Sequence, residues 1–147
     1  MKTVLALYHE KISIAVHLGD YTEDIKNMTA DYPAYELYTV PGAYEFGPSI
    51  ETEHVIQTSG KKILLTHGHR HNVKQTLDWL IYHAEEQAVD ACLFGHTHEP
   101  VLFEKKGILF MNPGSISMPR TDMRAQYGLL HVTEDGQVNG VLMTLPS

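Results

Sequence analysis

Two histidine pairs carry most of the chemistry available to this chain: Thr66-His67-Gly68-His69 and Gly95-His96-Thr97-His98. Each follows an apolar run that reads as a buried strand, Lys62-Ile63-Leu64-Leu65 before the first and Ala91-Cys92-Leu93-Phe94 before the second. A third run, Ile14-Ala15-Val16-His17-Leu18, ends in Gly19-Asp20. Imidazole nitrogen is the commonest protein ligand for transition metals, and a carboxylate can bridge two cations. Two histidines at i and i+2 diverge along extended chain, so a pair suits two neighbouring ions better than one. A single His-x-His among ten histidines is most often an accident of surface or core. Three strand ends that each carry a glycine and a ligand are harder to dismiss, because ligands of an α/β sheet gather at the carboxyl ends of its strands.

Composition narrows the partners. The 147 residues amount to one domain, 1–147, with 43% hydrophobic residues, enough for a modest core. A net charge of −7 with eleven scattered Lys and Arg argues against nucleic acid as the main partner. An acidic chain still binds anionic phosphate when metal ions set the local charge. The single cysteine, Cys92, excludes an intramolecular disulfide, fits a reducing compartment and reads as a core residue. No stretch reaches the roughly 20 apolar residues that a membrane crossing needs, and the apolar start is too short for a secretory signal. The expected location is the cytoplasm, with no membrane partner.

The elements that must position these groups follow from periodicity and punctuation. Residues 3–10 lean to helix, 12–18 to a buried strand, 22–30 to a short polar helix capped by Thr22, and 35–40 to a strand closed by Pro41-Gly42. Residues 53–58 and 61–66 flank Ser59-Gly60 as an antiparallel hairpin. Val73, Leu77, Leu80, Ile81, Ala84 and Ala88 fall at helical spacing, which predicts an amphipathic helix over 72–87 with Asn72 as its cap. On it, His83 reads as structural or solvated and Trp79 as a packing residue. Strands are expected at 91–94, 101–103, 108–111, 127–132 and 138–145, with hairpin turns at 104–107 and 133–136. This order predicts an α/β fold with helices covering packed sheets.

Gly19-Asp20, Pro41-Gly42, Thr66-His67-Gly68-His69, Gly95-His96-Thr97-His98 and Asn112-Pro113-Gly114-Ser115 occur here in that order. The ordered set resembles the small bacterial and archaeal branch of the calcineurin-like metallophosphoesterases, over nearly the whole chain from about Ile14. The resemblance implies two packed mixed β-sheets flanked by helices, two divalent ions at strand ends, and hydrolysis of phosphate esters, often diesters, by metal-hydroxide attack. It assigns Asp20 as the bridging carboxylate, His67 and His96 as ligands of one ion and His98 as ligand of the other. These four residues are both the metal-binding and the catalytic set. His69 has a substrate-facing or a packing role, and Ser115 and Arg120 are candidates for contact with the substrate phosphate, Arg120 through its planar fork of donors. Nitrogen and carboxylate ligands without thiolate suit Mn first, with Ni, Fe or Zn as alternatives.

The chain also departs from that pattern. No Asp-x-His occurs in the 19 residues before Asp20, so the first strand and half of one metal site are expected to be absent. Where relatives carry an Asn ligand after the glycine, Ala43 has no ligating atom. Glu45 stands where an Asp is usual, and Tyr44 where monoesterases carry a catalytic His, which favours diester chemistry. One or no ion is therefore a possible state of this chain. The expected activity is a metal-dependent phosphodiesterase, impaired, on a small phosphate ester. The competing expectation is a non-catalytic relative that binds protein partners, as in a eukaryotic sorting-complex subunit of the same family. Unpaired strand edges left by an absent strand predict a homo-oligomer.

Overall fold

Three apolar runs form the parallel core of one sheet. In the computed structural model, which describes residues 1–20, 25, 35–45, 47–48, 50–120 and 123–146, β4 (Lys61–Thr66), β5 (Ala91–Leu93) and β7 (Ile108–Pro113) lie side by side and parallel. They follow α1 (Lys2–Tyr8), β1 (Ile14–His17), β2 (Glu36–Thr39) and β3 (Glu53–Thr58) in the chain, and α2 (Asp78–Glu86) separates β4 from β5. β6 (Pro100–Lys105) precedes β7, and β8 (Gln126–Val132) and β9 (Val138–Thr144) close the chain. β3 and β6 pair antiparallel at the two edges, giving the order β3-β4-β5-β7-β6. Strands buried on both faces need continuous apolar sequence, which is what Ile63-Leu64-Leu65 and Ala91-Cys92-Leu93 supply.

Both edge hairpins turn in two residues. Ser59 and Gly60 have φ of 49° and 75°, Lys106 and Gly107 have 53° and 75°, and two left-handed residues match the twist of the flanking strands. The hairpin expected over 53–66 is present with the expected strands, as are the expected strands of the C-terminal third, displaced by at most two residues at their ends.

Each face of the sheet has its own core. On one, Leu80 and Ala84 of α2 pack on Leu64, Cys92, Phe94, Ile108 and Phe110, with Phe103 stacked on Phe110 at 5.0 Å. Burying one such large side chain contributes about 1.5–3 kcal/mol. Cys92 is part of this core, and burial pushes its thiol far up, away from the reactive thiolate. On the other face, Leu65, Leu93 and Met111 pack with Val40, Ile14 and Val16 from the β1–β2 side and Leu130, Val132 and Leu142 from the β8–β9 side.

The second layer of the sandwich is thus two ribbons, the parallel pair β1–β2 and the antiparallel pair β8–β9, each a separate sheet. A cavity of about 400 Å³ is lined by Ala15 and Val16 of β1 and by Leu129 and Leu130 of β8. α1 lies against β8, with Leu5 buried and the Tyr8 and Tyr127 hydroxyls 3.3 Å apart.

Two expectations need correction. The helix predicted over 72–87 begins only at Asp78. A 3-10 turn, His69–His71, is closed by Asn72 in the left-handed region with φ 55°, and Leu77 rather than Asn72 precedes the helix. Val73 and Leu77 still join the core, so the apolar stripe is real while its first turns are irregular. Trp79 is 65% exposed rather than packed, because it lies on the solvent side of α2. The helix expected over 22–30 lies outside the described residues, apart from Ile25, which is buried.

Candidate metal centre

Parallel strands end on the same side, and the sheet order places the ends of β4, β5 and β7 next to one another. His67 directly follows β4, while His96 and His98 lie in the loop after β5. Asp20 arrives from the other layer, three residues beyond β1. The backbone ties these loops together, since the Gly95 N–H donates to the His67 carbonyl at 3.1 Å.

The four predicted ligands converge. Asp20 Oδ1 lies 3.7 Å from His67 Nε2, and Asp20 Oδ2 lies 3.3 Å from His98 Nε2. His67 Nε2 is 3.0 Å from His96 Nδ1. The second nitrogen of two rings is committed elsewhere: His67 Nδ1 donates to the Leu18 carbonyl at 2.6 Å and His98 Nδ1 to the Met118 carbonyl at 3.0 Å. A carbonyl only accepts, so these Nδ1 atoms carry a proton and each ring turns its Nε2 toward the Asp20 carboxylate. Ligand atoms held at about 2.1 Å from a divalent ion stand about 3.0–3.4 Å apart, close to the separations seen here.

His96 is held in the neutral form that a metal ligand needs. Its burial, together with His67, Lys74 and His69, holds its pKa down at about 4 against the opposing pull of Asp20, so the ring is neutral at pH 7. His67 is 2% exposed. The backbone is arranged for the site as well: Asp20, His96 and His98 all have positive φ, at 61°, 70° and 58°. Left-handed backbone at such residues costs about 1–3 kcal/mol each and collects at functional sites. Gly42 has a steric reason to be glycine, since a Cβ there would collide with Asp20 Oδ1. Asn112 holds the β5 loop from inside: its Nδ2 donates to the Gly95 carbonyl at 3.0 Å and to Thr97 Oγ1 at 2.9 Å, and its Oδ1 accepts from Gly114 N–H at 3.0 Å.

The three predicted substrate contacts fall around this cluster. His69 packs its ring 5.3 Å from His67 and 6.1 Å from His96, and burial holds its pKa below the ordinary histidine value. Arg120 borders an open cleft of about 770 Å³ that also meets Asp20, His96 and His98. Its Nε donates to the Thr97 carbonyl at 3.1 Å and lies 3.3 Å from Glu99 Oε1. Ser115 Oγ accepts from the Met118 N–H at 2.9 Å, closing the turn from which Met118 binds His98.

Several residues escaped sequence reasoning. Lys74 borders the cleft opposite no local motif, and with Arg120 it supplies positive charge beside the ligands. His17 is half-buried at the end of β1, its pKa held down by desolvation and partly restored by Glu45 and Asp20. Glu45 reaches back to accept the Gly42 N–H at 2.6 Å, so it orders the loop that bears Ala43. The alternation of the strand signalled His17 as inward-facing, but nothing in the sequence placed Glu45 near it.

The chain matches the calcineurin-like phosphoesterase superfamily domain over residues 1–135. It is 33% identical over 136 residues to the probable metallophosphoesterase YsnB of Bacillus subtilis, spanning 92% of this chain and 78% of that protein. It is 36% identical over 70 residues to phosphodiesterase YfcE of Escherichia coli, spanning 48% of this chain and 34% of that one. The crystal structure of a Vps29 variant from Entamoeba histolytica superposes with a TM-score of 0.77 at 23% identity, covering 99% of this chain and 90% of that one, and so shares its fold. On the match over 135 residues and the kinship with YsnB, this chain belongs to the calcineurin-like phosphoesterase superfamily, in its small bacterial and archaeal branch.

Proposed function

We propose that this chain is a metal-dependent phosphodiesterase of low activity, with Asp20, His67 and His96 holding one ion and Asp20 and His98 the weaker share of a second. The observation that carries this reading is the Asp20 carboxylate between two imidazole Nε2 atoms, 3.7 Å from that of His67 and 3.3 Å from that of His98. An ion so held supplies Lewis acidity and lowers the pKa of water near a phosphoryl group. The chain's own residues do the rest. Asn112 and Leu18 fix the ligands, and Lys74 and Arg120 attract and orient an anionic substrate in the cleft. Exposed Tyr44 leaves the position opposite without a proton donor of histidine's strength, which suits a diester with a good leaving group. Mn2+ is the favoured ion. No helix among the described residues is long and apolar enough to cross a membrane, and with buried Cys92 this supports a cytoplasmic enzyme acting on a small soluble ester. β1 and β8 each pair on one side only among the described residues, which supports self-association.

The test is hydrolysis of bis(p-nitrophenyl) phosphate with excess Mn2+. Slow turnover that vanishes in His96→Ala and rises in Ala43→Asn supports the reading; turnover unchanged in His96→Ala contradicts it. A second reading, a scaffold for protein partners, is favoured by Ala43, which lines the cleft beside Asp20 without a ligating atom. Under it, no hydrolysis appears at any Mn2+ concentration.

A further inference from the structure

A second cluster of metal-ligating side chains lies apart from the Asp20 cluster. Glu53 opens β3, His71 ends the 3-10 turn and His83 sits on α2. His83 Nε2 lies 2.9 and 3.1 Å from the two oxygens of Glu53, and His71 Nε2 lies 3.9 Å from Glu53 Oε2. The two imidazoles pack together with centroids 4.6 Å apart at 34°. One ligand atom from each of the three residues falls within 4.8 Å of the others, and the side chains are 15%, 23% and 32% exposed for His71, His83 and Glu53.

We propose that Glu53, His71 and His83 form a second metal site that takes Zn2+. Two imidazoles and a carboxylate are a recurring three-ligand set for Zn2+ and leave a fourth position open to water. A proton accounts for less of the geometry. It joins Glu53 to one imidazole and leaves the other Nε2 3.9 Å from the same carboxylate, beyond hydrogen-bond range. An ion at about 2.1 Å from each ligand satisfies all three at once, once the side chains draw in to about 3.4 Å of one another.

The position gives the ion a purpose. Its ligands come from three separate elements, so binding ties β3, the turn after β4 and α2 together. His71 ends the 3-10 turn that begins at His69, two residues after His67, and Glu53 pairs in register with Thr66, the residue before His67. Zn2+ here braces the backbone of the loop that presents the Asp20 cluster its most buried ligand.

The experiment titrates metal-stripped protein with Zn2+ by calorimetry and follows Co2+ by visible absorption. The double variant Asp20→Ala/His98→Ala disables the first cluster and is expected to bind one equivalent of Zn2+. Adding His83→Gln, which keeps an amide donor for Glu53 but offers a poor ligand, should weaken that binding at least about tenfold and abolish the rise in Tm on adding Zn2+. The metal-free Tm should stay where it was, which separates ligand loss from unfolding. A double variant that binds no Zn2+, or one whose binding ignores His83→Gln, overturns the proposal. Wild type and double variant binding the same single equivalent supports this site and counts against the Asp20 cluster alone, so the two readings fail separately.

Discussion

Asp20 Oδ2 lies 3.3 Å from His98 Nε2, while the other nitrogen of that ring donates to the Met118 carbonyl. The carboxylate oxygen and the imidazole Nε2 thus stand at the separation of two ligand atoms on one divalent ion. Residues 78 positions apart in the chain are brought to this relation by two different layers, β1 below and the loop after β5 above.

Gly42→Ala tests the packing of that carboxylate. The added Cβ would overlap Asp20 Oδ1, so Asp20 must shift. Metal affinity is expected to fall at least about tenfold, with a stability loss of about 1–3 kcal/mol from overpacking. Calorimetric Mn2+ titration and urea unfolding measure the two effects; unchanged affinity would show that Asp20 is not held where it must be.

Asn112→Ala tests the support beneath the β5 loop. The variant removes donors to Gly95 and Thr97 and strands the half-buried Gly114 N–H. Leaving such groups unsatisfied costs about 1–3 kcal/mol apiece. Urea unfolding should show a loss of at least that size together with weaker metal binding, and a neutral variant would mean the loop is held by other contacts.

The sequence made the strands legible because apolar runs and two-residue turns are local signals. Ser59-Gly60 and Lys106-Gly107 announce their hairpins, and strand ends with Gly and His announce the ligands. The irregular stretch after His71 was not legible, since Val73 and Leu77 keep helical spacing whether or not the backbone is helical. Lys74, His17 and the Glu53, His71 and His83 cluster depend on which elements pack together, and their spacings of 18 and 12 residues along the chain carry no periodic mark.

Acid should weaken the metal-free fold. Burial is the first cause holding His17, His69, His71 and His96 below the ordinary value of 6.5, His96 down at about 4. Between those limits the unfolded chain binds more protons than the folded one, so stability falls as pH drops from about 6.5 toward 4. The urea midpoint of stripped protein should be lower at pH 5 than at pH 7.5, and His96→Asn should reduce the difference. A midpoint independent of pH contradicts this account of the buried rings.

The most direct measurement is Mn2+ binding, followed by electron paramagnetic resonance of the free ion, in a His83→Gln background that silences the second cluster. His67→Ala and His96→Ala are each expected to reduce affinity at least about tenfold, while His54→Ala and His131→Ala leave it unchanged. His54 faces the Thr39 carbonyl and His131 is an exposed residue of β8, both outside the ligand set. Equal losses in all four variants, or none in any, would contradict the assignment of Asp20, His67, His96 and His98 as the metal centre.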